Sequence, residues 1–254
     1  MSEQTIYVAG YPKSGTVFIT RLLGDALDSP TGAYWNSRDG EDISAEGGGR
    51  KGKYVVRRGH FRLLNKSYPS LTPVPAPHKL AWRALTGQRL VCIMRDPRDV
   101  ATSAHFYYHQ GQWAISKILK DMRDGTGSFS VMGPWDAYMS AWNALPYHPM
   151  SLVKFERLAK DPFRCLKEIV ADLEIDAPTD AHMQEACNRQ SFAAKKQWIE
   201  STTKPLPLGK GLNLKHMRKG KPGDWKNHFT EKEKRMARTF FGKTMAELGY
   251  DPNE

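Results

Sequence analysis

The sequence predicts an α/β fold with a central parallel sheet flanked by helices, in one domain that spans residues 1–254. Short apolar runs typical of buried strands alternate along the chain with segments of helical periodicity. The order strand, turn, helix occurs after residues 5–9 and again after residues 89–94. Strands that alternate with helices favour a parallel sheet with helices on both faces, because each parallel neighbour requires a crossover connection.

The individual elements follow from local patterns. TIYVAG indicates a buried strand, and YVVRRGHF, RLVCIM and SLVKF have the same short apolar character. The helices show apolar residues three and four apart, and Asp96 with Pro97 supplies a cap and a first-turn proline for one of them. The predicted strands cover residues 5–9, 54–61, 89–94 and 151–155, and the predicted helices cover residues 16–29, 97–109, 113–122, 135–145, 162–173 and 230–248.

The composition restricts the class of partner. A formal net charge of +11 indicates an anionic partner, which nucleic acid, a membrane surface or a phosphorylated small molecule would satisfy. Cys92, Cys165 and Cys187 are odd in number and lack CxxC spacing, so neither a disulfide framework nor a zinc site is expected. The start MSEQTIYVAG lacks a signal-segment pattern and no apolar run approaches a membrane span, which predicts a cytoplasmic protein.

The turn GYPKSGTVF is similar to a phosphate-binding loop whose lysine is displaced. A glycine turn between a strand and a helix directs backbone N–H groups and the positive helix end at one point, which suits a phosphate. In nucleotide triphosphatases, a lysine follows the second glycine and the next hydroxyl holds Mg²⁺. Here Lys13 precedes Gly15, and Thr16 and Val17 occupy those two positions. Valine cannot ligate a metal, so the pattern disfavours a Mg²⁺-dependent kinase and predicts an anion site without metal.

Two further segments are directed at anions. Arg95, in MRDPRDVATS, ends a predicted strand, and Ser103 falls about two turns into the next helix, so both can reach one anion. Arg98, by contrast, is expected to pair with a neighbouring aspartate. Residues 218–229, RKGKPGDWKNHF, place two cations before a glycine whose N–H can approach an oxyanion. Three such segments imply a ligand with more than one phosphate-like group, and the candidates to sandwich a base are Phe18, Phe155 and Phe192.

Together these segments resemble the cytosolic-type sulfotransferases, which have a P-loop-type fold and use 3′-phosphoadenosine-5′-phosphosulfate. YPKSGT is similar to their 5′-phosphosulfate loop, RDPRDVATS to their 3′-phosphate motif and RKGKPGDWKNHFT to their carboxyl-terminal nucleotide segment. The motifs occur in the family's order between residues 11 and 230. The resemblance implies a metal-independent enzyme that moves the sulfuryl group to a hydroxyl or amine of a small-molecule acceptor and releases adenosine 3′,5′-bisphosphate.

The resemblance also implies a role for each matching residue. Lys13 would neutralise charge on the oxygen that bridges phosphate and sulfate, and Ser103 would belong with it to the catalytic set. Gln190 stands where the family has Thr, which alters hydrogen bonds to adenine rather than stacking on it. The implied donor-binding residues are Lys13, Ser14, Gly15, Thr16 and Val17 for the 5′-phosphate end, Arg95, Ser103, Arg218, Lys219 and Gly220 for the 3′-phosphate, and Phe18 (usually Trp), Phe155 (commonly Tyr), Ser191 and Phe192 for adenine.

A histidine is expected as the base. The acceptor hydroxyl loses its proton during attack on sulfur, and histidine, with an ordinary pKa of about 6.5, suits this task at neutral pH. His60 is the candidate, because Arg58-Gly59-His60 resembles the family's Lys-x-His. The segment after His60 is longer than expected, so His78 is the reserve candidate. His105 is expected at the surface or behind the site.

The acceptor and the assembly are less sharply defined. Residues 36–52, 113–135 and 203–215 are candidate acceptor loops, and the polar composition of the first favours a polar or cationic acceptor over a steroid. The family's dimer motif, Lys-x-x-x-Thr-Val-x-x-x-Glu, is half matched. Lys226 and Thr230 fit its first two defining positions, whereas Glu231 and Arg235 stand where the motif has Val and Glu. This pattern predicts a monomer or weak dimer.

Two other functions are open on the residues alone. A P-loop nucleoside or small-molecule kinase shares the strand, loop and helix order of the glycine turn. A noncatalytic nucleic-acid binder would explain the positive charge and nothing else. The three motifs rank both below a sulfotransferase, so neither a nucleic-acid partner nor a membrane partner is expected.

Overall fold

The computed structural model describes residues 4–33, 52–59, 62–63, 79–80, 88–201 and 219–254. Five of its strands form one sheet, and all neighbouring pairs are parallel. A separate two-strand ladder joins β4 (Arg62–Leu63) to β5 (Lys79–Leu80). The predicted α/β class with a central parallel sheet is therefore confirmed. Across the large sheet, the strands are β2 (Thr31–Ala33), β3 (Tyr54–Gly59), β1 (Gln4–Gly10), β6 (Arg89–Met94) and β7 (Met150–Lys154).

The central strand β1 brings the predicted anion-binding segments to one edge of the sheet. Ala9 lies opposite Gly59 of β3 on one side and opposite Cys92 of β6 on the other. The carboxyl ends of these three strands therefore meet at the edge where open α/β sheets bind ligands. The connections that leave β1 and β6 begin at Tyr11 and Arg95, so both anion-directed turns start there.

Helices cover both faces of the sheet. Asp96 caps one of them by accepting a hydrogen bond from the Arg98 N–H at 2.8 Å, with Pro97 in the first turn as predicted. Thr230 and Glu233 form a capping box at the start of the last helix. Among the described residues, the helices are α1 (Thr16–Ala26), α2 (Pro97–His109), α3 (Ile115–Asp124), α4 (Trp135–Asn143), α5 (Phe155–Lys160), α6 (Pro162–Asp172), α7 (Asp180–Arg189), α8 (Phe192–Ser201) and α9 (Glu231–Glu247).

The two sides of β1 contribute to two separate cores. Ile6 and Val8 pack with the apolar residues of α1, α6 and α7. Ala9 and Tyr11 pack on the other side with α2, α3, α4 and α9, where Trp135 and other large aromatic side chains are buried. Alternate residues of a strand point to opposite faces, so this division explains why β1 is apolar from Ile6 to Ala9.

The structure corrects several predicted boundaries. The helix predicted over residues 16–29 ends at Ala26, and Asp28 has a left-handed φ of 47° that no α-helix continues. The strand predicted over 151–155 ends at Lys154, because Phe155 opens α5. The elements β2, β4, β5, α5, α7 and α8 are missing from the prediction. The three-residue strand TGA and the largely polar helix DAHMQEACNR carry too little apolar signal to be found by periodicity.

Two glycine-to-alanine changes are expected to have opposite effects on stability. A Cβ at Gly10 would stand 2.7 Å from both Ile93 Cγ2 and Thr16 Cγ2, so Gly10→Ala overpacks the junction of β1 and α1 and lowers the free energy of unfolding by about 1–3 kcal/mol. Gly242, within α9, has room for a Cβ, whose nearest atoms are 3.6 Å away. Gly242→Ala is expected to raise stability by about 0.5–1 kcal/mol through helix propensity. Urea denaturation followed by circular dichroism measures both, and a Gly10→Ala protein as stable as the parent would contradict this packing.

Candidate active site

The turn between β1 and α1 has a backbone shape that few residues allow. Lys13 has a φ of 70° and Gly15 a φ of 99°, both in the left-handed region. A Cβ at Gly15 would also stand 2.7 Å from Cδ2 of Phe155, so glycine is required there. Gly15 is the N-cap of α1, and the N–H groups of Thr16 and Val17, in the first turn, have no partner within the helix. The turn therefore directs these donors to one point, as a phosphate site requires.

Ser14 provides an independent sign of a ligand at this turn. Its N–H donates to the carbonyl oxygen of Tyr11 at 3.1 Å, which closes the turn. Its side chain is fully buried, and its Oγ has no hydrogen-bond partner within the part of the chain that the structure describes. A buried hydroxyl without a partner costs free energy. The position therefore fits a ligand oxygen that would accept a hydrogen bond from Ser14.

The Lys13 ammonium is partly buried between aromatic rings and a second cation. Its Nζ lies 3.3 Å from the ring centroid of Tyr107 and 5.8 Å from that of Tyr108. Burial and, to a smaller extent, the positive charge of Arg95 lower the pKa of Lys13 to about 7. An anion beside Nζ would favour the charged form, so the electrostatics of this site suit an anionic ligand.

Arg95 fixes the position of the turn between β1 and α1 through a hydrogen bond to its backbone. Its Nη1 donates to the carbonyl oxygen of Lys13 at 2.9 Å, and its guanidinium lies 4.2 Å from the ring centroid of Phe155. Its Nη2 is 3.9 Å from Oδ2 of Asp99, one helical turn later. Arg95 is only 8% exposed, so these contacts hold a charged group largely out of water. Arg95, predicted to hold a phosphate, thus also stabilises the turn between β1 and α1, residues 11–15, which is named the front turn.

Asp99 joins helix α2 to the third predicted segment. Its Oδ2 accepts a hydrogen bond from the Gly223 N–H at 2.7 Å, and its Oδ1 accepts one from the Trp225 N–H at 3.1 Å. Burial raises the pKa of Asp99, whereas the charge of Arg95 and the two N–H groups act in the opposite direction. The segment 219–229 is therefore attached to the first turn of α2, which begins just after Arg95.

Arg98 pairs with Asp96 at 2.7 Å, as the sequence indicates. The pair is buried rather than superficial, since Arg98 is 3% exposed. Its guanidinium lies 3.9 Å from the ring centroid of Trp225, and its Nη2 donates to the carbonyl oxygen of Asp251 at 2.9 Å. Arg98 therefore holds Trp225 and the last residues of the chain, and it contributes to structure rather than to anion binding.

The segment 219–229 also reaches helix α8. A Cβ at Gly220 would stand 2.5 Å from Cδ2 of Phe192, so this backbone lies directly against the aromatic ring. The Lys219 Nζ donates to Oδ1 of Asp224 at 2.8 Å. The structure thus brings together three residues that the sequence assigns to the donor. A cavity of about 470 Å³ lies here and is lined by Phe192, Lys219, Lys221, Pro222, Gly223, Asp224 and Asn227.

The remaining predicted residues surround these contacts. Ser103 shares one face of α2 with Asp99 and Tyr107 at spacings of four residues, which places it between the segment 219–229 and Lys13. Phe18 packs against the same apolar cluster as Phe155. Ser191 lies just before α8, where its Oγ accepts a hydrogen bond from the Ala194 N–H at 3.3 Å.

Gln190 has a structural task that the sequence does not indicate. It is 3% exposed, and its Nε2 donates to Oδ2 of Asp25 at 2.5 Å. This contact ties α7 to α1. The amide of Gln190 is therefore used within the protein.

Several predicted residues lie outside the described part of the chain. These are His60, His78 and Arg218, together with residues 36–51 and 203–215 of the candidate acceptor loops. Conversely, Tyr107 and Asp99 belong to the site and are absent from the sequence-based set. Their signal was the four-residue spacing of Asp99, Ser103 and Tyr107 along one face of α2, which begins just after Arg95.

The family model for the sulfotransferase domain matches residues 3–249. The chain belongs to the sulfotransferase family. The predicted enzyme class, with the 3′-phosphoadenosine-5′-phosphosulfate donor characteristic of the family, is thereby confirmed, and the kinase alternative is not favoured.

Individual sulfotransferases are distant relatives over nearly their full length. Mouse sulfotransferase 2A2 is 24% identical and aligns with 99% of this chain and 87% of its own length. Rat sulfotransferase 1A1 is also 24% identical, over 96% of this chain and 86% of its own. The crystal structure of mouse sulfotransferase SULT7A1 complexed with PAP superposes with a TM-score of 0.68 at 22% identity and covers 98% of this chain and 86% of that chain. This likeness supports the fold.

The described residues contain no group of three or more His, Cys, Asp or Glu side chains placed to hold a metal ion. Within the same ranges, no helix combines the length and apolarity required to cross a bilayer.

The ionisation of Lys13 can be measured directly. With a pKa of about 7, Lys13 is ammonium below neutral pH and mainly neutral amine above it, whereas an ordinary lysine is charged up to about 10.5. Competitive acetylation with acetic anhydride, read by peptide mass spectrometry across pH, is expected to show Lys13 reactivity with a midpoint about three units below that of an ordinary lysine. Arg95→Gln is expected to raise the midpoint, because it removes one of the two causes. A midpoint near 10.5 in the unaltered protein would contradict the buried environment described for Lys13.

Proposed function

We propose that residues Lys13–Val17, Arg95, Ser103, Lys219 and Gly220, together with Arg218, bind the 3′-phosphoadenosine-5′-phosphosulfate donor of this sulfotransferase. The observation that carries the proposal is the front turn, which contains the first-turn N–H groups of α1, the Lys13 ammonium and a buried Ser14 hydroxyl that has no partner among the described residues. A second cationic region, at Lys219, lies beside Phe192. Two anion-binding regions joined through Arg95 and Asp99 suit an adenine nucleotide with phosphates at both ends.

The chain's own groups can carry the reaction without a metal. When bound, the donor supplies a sulfuryl group that is attached to a phosphate oxygen. As the acceptor oxygen forms a bond to sulfur, the bond between sulfur and that phosphate oxygen breaks. Lys13 is placed to stabilise the negative charge that develops on that leaving oxygen. The N–H groups of Thr16 and Val17 orient the 5′-phosphate. Phe18 and Phe192 provide apolar surfaces for the base, and Ser103 provides a hydroxyl between the two phosphate regions.

His60 is proposed as the base that accepts the proton of the acceptor. It follows directly on Gly59, the last residue of β3, which pairs with Ala9 of β1. β3 therefore ends at the same sheet edge as the strand that leads to Lys13. His78 is retained as the reserve candidate. The catalytic base must reach the acceptor hydroxyl, and histidine is the side chain whose ordinary pKa allows this near neutral pH.

The acceptor is a small molecule, which we propose to be polar. The support is the polar composition of residues 36–52. We also propose one domain and a monomer or weak dimer, since Lys226, half of the matched dimer motif, forms an ion pair with Glu254 of the same chain. The cytoplasmic location remains a prediction.

Calorimetry with adenosine 3′,5′-bisphosphate in the presence of EDTA tests the donor site. Binding is expected without a divalent ion, and the bound nucleotide should protect Lys13 from acetylation by raising its pKa. Lys13→Ala is expected to lower kcat by about 10²–10³-fold, because it removes a donor at the developing charge. Lys243→Ala, at an exposed position of α9, makes the same change of charge and should leave activity intact. Binding of ATP that requires Mg²⁺, with no affinity for the bisphosphate, would support the kinase instead.

Matched substitutions distinguish the two candidate bases. His60→Gln is expected to lower kcat by about 10²–10⁴-fold while the affinity for adenosine 3′,5′-bisphosphate stays unchanged, because only the proton acceptor is lost. His78→Gln should retain most of the activity. Steady-state kinetics on a panel of alcohols, phenols and amines measures both. The reverse pattern would transfer the role of base to His78.

A further inference from the structure

Asp99 is a buried carboxylate with both oxygens occupied. It is 1% exposed and lies in the first turn of α2, four residues after Arg95. Each oxygen accepts a hydrogen bond from a different backbone N–H, Gly223 at 2.7 Å and Trp225 at 3.1 Å. The distance to Arg95 Nη2 is longer, at 3.9 Å. The two backbone contacts are therefore the closest interactions that Asp99 makes.

These contacts cross a large separation in sequence. Gly223 and Trp225 are 124 and 126 residues away from Asp99 along the chain. The residues just before them, Lys219–Pro222, are exposed. Lys219 pairs with Asp224 in the same segment, and Gly220 lies against the Phe192 ring. An anchor at Gly223, between Gly220 and Asp224, therefore has a direct effect on where Lys219 and Gly220 lie.

The same segment has a second attachment that does not involve Asp99. Trp225 is 2% exposed, and the Arg98 guanidinium lies 3.9 Å from its ring centroid. Loss of the Asp99 contacts should therefore leave Trp225 in its pocket while the backbone at Gly223 relaxes. This predicts a displaced segment rather than an unfolded one.

We propose that Asp99 is a positioning residue for the 3′-phosphate end of the donor site. It holds the backbone at Gly223 and Trp225 so that Lys219 and Gly220 face the nucleotide beside Phe192. The inference rests on the proposed donor site. It assigns Asp99 no contact with the nucleotide, so its effect is transmitted through the backbone of the segment 219–229 and through Arg95, whose Nη2 lies 3.9 Å from Asp99 Oδ2.

Asp99→Asn tests this role with two nucleotides. The asparagine amide keeps the shape but presents an N–H₂ group to one of the two backbone N–H donors. The affinity for adenosine 3′,5′-bisphosphate is expected to fall by about tenfold or more, since a charge-assisted hydrogen bond is lost. The affinity for adenosine 5′-phosphate, which lacks the 3′-phosphate, should be unchanged. In turnover assays, the KM for the donor should rise while kcat is retained.

Asp121→Asn is the matched control. Asp121 is also a buried carboxylate, but it binds Lys117 at 2.8 Å and Thr126 at 3.1 Å within α3 and the turn that follows. The substitution Asp121→Asn should therefore leave the ratio of the two nucleotide affinities unchanged. If Asp99→Asn does not fold, Asp99→Glu keeps the charge, displaces both oxygens and should give the same loss of discrimination.

The possible outcomes separate this inference from the proposed function. Failure of the unaltered protein to bind adenosine 3′,5′-bisphosphate would overturn the donor site itself. The positioning role is wrong if the unaltered protein binds the bisphosphate and the Asp99 variants keep the same ratio of affinities for the two nucleotides. An equal loss of affinity for both nucleotides keeps that ratio and has the same meaning. A selective loss for the bisphosphate, absent in Asp121→Asn, would support it.

Discussion

The contacts of the Arg95 guanidinium determine the arrangement of the site. Burial of a cation is unfavourable unless hydrogen bonds, an opposite charge or an aromatic face replace water. Arg95 has all three, from the Lys13 carbonyl, Asp99 and Phe155. Each of these groups belongs to a different element, so stabilising one buried charge fixes the front turn, helix α2 and the start of α5 relative to one another.

The same constraint explains the electrostatics of Lys13. A left-handed φ at Lys13 and a glycine against Phe155 keep the turn close to Arg95. The ammonium is thereby held near a like charge and partly out of water, and both effects depress its pKa. The Tyr107 ring offsets part of this cost, because an aromatic face attracts a cation. The charge arrangement is thus a consequence of how the turn is packed.

Local patterns predicted more of this protein than long-range contacts did. The strand before Lys13, the strand before Arg95 and the Asp96 cap follow from apolar runs and turn residues, and the structure has them within one or two residues. The contact of Asp99 with Gly223 has no such local signal, because it depends on how α2 and a distant segment pack. The short strand β2 and the polar helix α7 were missed, since their stability comes from tertiary pairing rather than from their own pattern.

The free protein bears a cost that a bound anion would remove. Lys13 and Arg95 are cations held near each other, and the Ser14 hydroxyl is buried without a partner among the described residues. Lys219, in contrast, is neutralised by Asp224. A nucleotide would therefore meet, at the front turn, a lysine held beside a second cation and, at Lys219, a cation that already pairs with an internal carboxylate. Because ligand binding to the folded state adds to stability by mass action, occupancy of the front turn should contribute most to both affinity and folding.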